Sequence, residues 1–160
     1  MSNQDSLEKG FAEFSKDFDE KLDICVPCAG INRNLSFLDT SFDEHQKLIG
    51  VNVMGVYHTA QFAAKQMIAN DTKKGSIVLV ASIASYIAIR SQMSSAYCGT
   101  KGAVRAMCPP VAAELIKYVS NPFASNLNNY LESDGQNQPG NSCQFHIARL
   151  CEDGDDGAGK

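Results

Sequence analysis

Ser76-Ile77-Val78-Leu79-Val80-Ala81-Ser82, followed further along by Tyr97-Cys98-Gly99-Thr100-Lys101, is the stretch that decides the fold. The run from Ser76 to Ala81 has the length and apolar continuity of a strand covered on both faces, as in a parallel sheet. Tyr97 and Lys101 stand four apart and share one face of a helix. An ammonium near a phenol lowers the cost of the phenolate, so a Tyr works as an acid or base nearer neutral pH than its reference pKa of about 10 allows. A Ser hydroxyl at the end of the strand is placed to hold a substrate oxygen. The set suits moving a proton on or off an alcohol or carbonyl.

Working outward, the chain alternates helix and strand. Leu7, Phe11, Phe14 and Phe18 recur at helical spacing, and Asp5 with Glu8 reads as a capping box, so the spacing predicts a helix from Asp5 to Phe18. Leu22 to Ala29 reads as another strand buried on both faces. Ser41 and Glu44 form a second capping box that opens a long helix to Ile68. Its inner side carries Leu48, Ile49, Asn52, Val53, Val56, Ala60, Ala63 and Met67. The loop from Ser82 to Met93 leads into a helix from Ser94 to Tyr118, with Pro109-Pro110 disturbing its middle. Helix, strand, helix, strand, helix implies an α/β domain with a parallel sheet. From Val119 to Lys160 the chain turns to Asn, Ser, Gly, Asp and Gln without apolar periodicity and reads as a disordered tail.

The chain has 160 residues, enough for one domain with a real core. A net charge of −4 gives no electrostatic reason to expect nucleic acid or an anionic membrane as partner. No run approaches the roughly 18 apolar residues of a membrane span. The polar, acidic N-terminus reads as neither signal nor transit peptide. A soluble cytoplasmic protein is the expectation, with its six cysteines mostly free thiols.

Cys25-Val26-Pro27-Cys28 invites a dithiol redox reading. That chemistry needs an exposed Cys at a helix N-terminus, and here the pair sits in a strand. Residues three apart on a strand point to opposite faces. The cysteines offer no second ligand pair at zinc spacing. His45, His58 and His146 are scattered and read as solvated residues. The acidic C-terminal end lacks a Glu at the closing position of a calcium loop.

The two strands, their spacing and the Tyr97/Lys101 pair together resemble the short-chain dehydrogenase/reductase family, over Leu22 to Tyr118. The resemblance implies a Rossmann-type doubly wound parallel sheet, an NAD or NADP cofactor, and interconversion of alcohols and ketones. Cys28-Ala29-Gly30 matches the family's Asn-Ala-Gly, Asn52 its helix Asn, and Ser82 the Ser after the next strand. Within the family the chain is most similar to fungal sugar-alcohol enzymes of the sorbose reductase and arabinitol dehydrogenase type. The signs are Ala81-Ser82-Ile83-Ala84 and a Ser-to-Tyr gap two residues longer than the family's commonest.

The resemblance implies roles residue by residue. Tyr97 is the acid/base. Lys101 lowers the Tyr pKa and bonds the nicotinamide ribose. Ser82 orients the substrate oxygen, with Ser85 as its fallback. Asn52 holds a water in the proton relay. Cys28, Ala29 and Gly30 lie against the cofactor, Ala29 and Gly30 being small enough for close backbone approach. NADP, or NAD, is the expected cofactor, a small carbonyl or alcohol the substrate, and a polyol or ketose the substrate class. The two long helices match those the family packs in a dimer, so a homo-oligomer is expected.

Three departures from the family pattern stand out. The first strands and their glycine-rich phosphate turn are missing from the pattern, so the fold is expected as a partial one. Cys28 replaces the usual Asn. Residues 1–118 are expected as the cofactor-binding domain, and 119–160 depart from the family.

The codons permitted for Gly140 to Lys160, shifted by one base, include a frame reading Gly-Ile-Arg-Val-Asn-Ser-Ile-Ser-Pro-Gly-Tyr-Val-Arg-Thr, which resembles the family segment expected there. Val119-Ser120 permits a splice-donor sequence, and Pro139 with the first base of Gly140 permits a splice acceptor. The expectation is a retained intron followed by a shifted frame. The alternative function is that of a non-catalytic fragment keeping only the dimerisation helices.

Overall fold

A computed structural model describes residues 3–72, 75–88, 90–115 and 118, and the backbone of 144–147. Helix α1, Gln4–Asp17, begins at Asn3, whose side chain accepts from the Asp5 amide at 2.9 Å. The cap is therefore Asn3 rather than Asp5. Asn3 is the extended residue (φ −120°) and its carboxamide reaches the orphan amide two residues on. Glu8, expected in the capping box, instead accepts from the Gln4 side chain.

β1 is only Ile24–Cys25, and Ile24 and Val26 are exposed while Leu22 and Pro27 are buried. The expectation of a strand covered on both faces from Leu22 to Ala29 is corrected here. β1 is an edge strand among the described residues, and its Ile24 side chain is left exposed. β2, Ser76–Val80, buries Ile77 and Leu79, while Ser76, Val78 and Val80 on the other face are half-buried. It pairs in parallel with β1, Ile24 opposite Ser76 and Cys25 opposite Ile77. β3, Gln144–Ile147, pairs with the other edge of β2 in antiparallel register.

The sheet thus keeps the expected parallel β1–β2 pair and adds β3 at the other edge of β2 in antiparallel register. A strand edge left open offers unpaired amides and carbonyls to any extended segment, whatever its direction. β3 falls within the segment read from sequence as a structureless tail; the rest of that tail lies outside the described residues.

α2, Phe42–Ile49, starts at Ser41, whose Oγ accepts from the Glu44 amide at 3.2 Å as the capping box predicts. It runs through a π-helical segment, Gly50–Gly55, into α3, Val56–Ala69. Leu48, Asn52, Val56, Ala60, Ala63 and Met67 face inward as expected, whereas Ile49 is exposed and Val53 half-buried. α4, Ser95–Leu115, carries Pro109 and Pro110 inside it. The helix continues although two backbone donors are lost, because Val104, Cys108 and Ala112 bury against the same core. That core joins α3, β2 and α4 through Val56, Met67, Leu79 and Val104, with Phe11 and Phe14 of α1 packed on its margin.

Candidate active site

The site forms where β1 and β2 end and α4 begins. Asn52, fully buried, lies in the π-helical segment between α2 and α3. Its Oδ1 accepts from the Ile31 amide at 2.8 Å, and its Nδ2 donates to the Ile31 carbonyl at 2.9 Å and to Thr100 Oγ1 at 3.0 Å. Both carboxamide N–H groups are therefore used, and one Oδ1 lone pair is left. A π-helical turn widens the backbone locally and is common at functional positions. The sequence carries no sign of this one, because Gly50 to Gly55 keeps the helical apolar rhythm.

Thr100 joins the candidate site without having been singled out from the sequence. It is buried, takes the Asn52 bond and donates to the Tyr97 carbonyl at 2.8 Å. A Thr three after the Tyr on the inner face of α4 was the available signal.

Lys101 is buried, at 4 % exposure, and Nζ donates to the Val80 carbonyl at 2.8 Å. Burial pushes its ammonium below the ordinary lysine value, with neighbouring Cys28 acting in the opposite direction. An ammonium has three donors and Val80 takes one. Gly30 opens on the same spot: a Cβ there would lie 3.4 Å from Asn52 Oδ1 and 3.5 Å from Lys101 Nζ. Gly30, Asn52 and Lys101, far apart in sequence, thus converge. Ala29 is half-buried beside them and Cys28 exposed. The Cys28 amide donates to the Val26 carbonyl at 2.8 Å, within its own segment.

Ser82 caps a 3-10 turn, Ile83–Ser85: its Oγ accepts from the Ala84 amide at 3.2 Å. The hydroxyl proton stays free to donate. The Ser85 hydroxyl is bound differently, donating in a short bond to the Ser82 carbonyl. Tyr97 is half-buried in the first turn of α4, and its hydroxyl makes no hydrogen bond among the described residues. A cleft of about 700 Å³ lies alongside, lined in part by Phe37, Ser85, Tyr86, Ile87, Met93 and Cys98. Cys25, Cys28, Cys98 and Cys108 are free. Burial raises the Cys25 thiol pKa, the reverse of what a redox nucleophile needs. No cluster of metal-ligating side chains occurs among the described residues, and no described helix is long and apolar enough to cross a membrane.

A Rossmann-type βα framework with Gly30, Asn52 and Lys101 gathered at the strand ends, and Tyr97 a turn before the lysine, defines a class of nucleotide-dependent dehydrogenases. The sequence profile of that class, described as short chain dehydrogenase, matches residues 1–120. The chain belongs to the short-chain dehydrogenase family.

An NADH-dependent L-xylulose reductase of Ambrosiozyma monospora is 30 % identical over 118 residues, covering 74 % of this chain and 43 % of the relative. Sorbose reductase sou1 of Schizosaccharomyces pombe is 35 % identical over 95 residues, 59 % of this chain and 36 % of the relative. The crystal structure of a gluconate 5-dehydrogenase from Burkholderia cenocepacia J2315 in complex with NADP and tartrate superposes with a TM-score of 0.64 at 30 % identity, over 73 % of this chain and 44 % of that one. The chain thus spans less than half the length of these proteins.

Proposed function

We propose that this chain supplies the proton-transfer half of an NAD(P)-dependent oxidoreductase that interconverts a secondary alcohol and a ketone. The observation that carries the reading is the convergence of Gly30, Asn52 and buried Lys101 one turn beyond Tyr97. A buried ammonium with donors to spare, packed close against a glycine, fits a polyhydroxylated ligand lying against the backbone. Cys28, Ala29, Gly30, Tyr97 and Lys101 would hold the nicotinamide nucleoside. When bound, that group supplies or accepts the hydride.

The chain's own residues manage the oxygen. Tyr97 donates its proton to the carbonyl oxygen during reduction and takes it back during oxidation. The Lys101 ammonium stabilises the phenolate left behind. Ser82 donates its free proton to the same oxygen, one of its two lone pairs being engaged by the Ala84 amide. Ser85 is committed to the Ser82 carbonyl and is the poorer candidate. Asn52 holds Ile31 and Thr100 in place, and its remaining Oδ1 lone pair is the acceptor for a relay water.

The likeness to xylulose and sorbose reductases supports a polyol or ketose as substrate; NADP is the proposed cofactor with NAD as the alternative, since one relative is NADH-dependent and one solved neighbour holds NADP. The same family reading makes a second copy of the chain its partner, through α2, α3 and α4. Phe42, Met54 and Tyr57 leave exposed apolar surface there.

The test is fluorescence titration of the purified chain with NADPH and NADH. Saturable binding abolished by Lys101→Ala and retained by Tyr97→Phe, with ketose-dependent oxidation of the nucleotide, is the expected result. A folded chain that binds neither nucleotide would sink the proposal.

A further inference from the structure

Arg105 lies on α4 one turn beyond Lys101. Its guanidinium carbon sits 4.2 Å from the centre of the Tyr86 ring. Its Nε is buried and has no hydrogen-bond partner among the described residues. An unpaired buried donor is unfavourable, and an arginine near the surface ordinarily turns its fork to water. Here the guanidinium is held on a ring face instead, an interaction that strengthens as water is excluded.

The ring it holds is tied to Ser82. The Ser85 amide donates to the Ser82 carbonyl at 3.0 Å, the Tyr86 amide to the Ile83 carbonyl at 2.9 Å, and the Ala84 amide to Ser82 Oγ. These bonds link the Tyr86 segment to Ser82 within one short turn. The far end of the same loop is anchored separately, where Asn34 Oδ1 accepts from the Met93 amide at 2.9 Å.

We infer that Arg105 is a positioning residue, whose stack on Tyr86 sets the Ser82 hydroxyl against the Tyr97–Lys101 pair. The geometry has a simple logic: α4 carries Tyr97, Lys101 and the clamp on the loop that brings the third group. The catalytic consequence rests on the function proposed above; the clamp itself does not.

Two measurements on the full chain separate these. Hydrogen exchange reads the clamp without turnover. Exchange of the Ala84, Ser85 and Tyr86 amides should quicken by about tenfold or more in both Arg105→Ala and Tyr86→Leu. It should stay unchanged in Tyr86→Phe, with amides around Val104 as protected as in the parent. Tyr86→Leu alters an exposed ring and decides the matter if Arg105→Ala does not fold. Unchanged protection in the loop overturns the inference.

The second measurement is a kinetic cycle. Arg105→Ala should lower kcat by about tenfold with little change in cofactor KM, and by less than about twofold in a Ser82→Ala background. Arg105→Lys should recover part of the loss. Additive losses would show that Arg105 does not act through Ser82. Absence of turnover in the parent chain would count against the proposed function and leave the exchange result to decide the clamp.

Discussion

The Asn52 carboxamide closes a two-bond ring with the backbone of Ile31, accepting from its amide at 2.8 Å and donating to its carbonyl at 2.9 Å. A side chain thereby does for Ile31 what a neighbouring strand would do, just past the end of β1 where the ladder has run out. Asn52→Ala should leave Ile31 and Thr100 without these partners in a dry site. The expected loss is about 2–4 kcal/mol of unfolding free energy by urea titration. Asn52→Asp should restore nothing at neutral pH, since a carboxylate cannot donate to Ile31 and would be buried with its charge.

Tyr97→Phe should lower turnover by about 10²–10⁴-fold with a much smaller loss of nucleotide affinity, because the ring stays in place and only the hydroxyl that transfers the proton is removed. Ser82→Ala should lower kcat, and Ser85→Ala should alter it little. The two serines are three apart, but only the Ser82 proton is free. A larger effect of Ser85→Ala than of Ser82→Ala would reverse the assignment.

Lys101 gives stability a predictable pH dependence. Burial holds its pKa below the ordinary 10.5 in the folded chain. Between the lowered value and the ordinary one the unfolded chain binds more protons, so this group makes stability rise with pH across that window. Lys101→Met should remove the rise in denaturant midpoints measured as pH is stepped upward. A rise that persists in the variant would assign it to another group.

Cys108 acts in the opposite direction. Burial pushes its thiol up to about 11, from an ordinary 9.0. Its contribution is fully present below the ordinary value and is lost as pH rises towards about 11, because the unfolded chain ionises first. Cys108→Ala should flatten that fall. In the folded chain at neutral pH, exposed Cys28 should react with a thiol reagent well before buried Cys108.

The coding DNA provides a further check. A retained intron predicts donor and acceptor sequences around Val119-Ser120 and Pro139-Gly140, and codons from Gly140 onward that read Gly-Ile-Arg-Val-Asn-Ser when shifted by one base. Any other codon set there rejects the expectation.

Much of the framework was legible in the residues. The Ser41 capping box, the strand from Ser76 to Val80 and the inward stripe from Leu48 to Met67 are local patterns, and local patterns survive folding. Less legible were features in which two groups, near or distant in sequence, compete for one partner. Asp5 looked like a helix cap, yet Asn3 reached the orphan amide. Leu22 to Ala29 looked covered on both faces, yet Ile24 and Val26 are left exposed, because burial there depends on what distant elements pack onto each face. The direction of β3 depended on which segment found the open edge of β2.

By itself, the sequence determined the residue types and spacings of the proposed proton relay: Tyr97 a turn before Lys101, Ser82 after a covered strand, Asn52 on a helix and Gly30 after another strand. Only the tertiary structure decided which of their hydrogen bonds are already spent. Ser85 gives its proton to the Ser82 carbonyl, Lys101 gives one to Val80, and Asn52 uses both of its own on Ile31 and Thr100. Spacing states what a group is; the packing of distant elements sets what remains free to act, because each buried donor must find a partner wherever the fold brings one within reach.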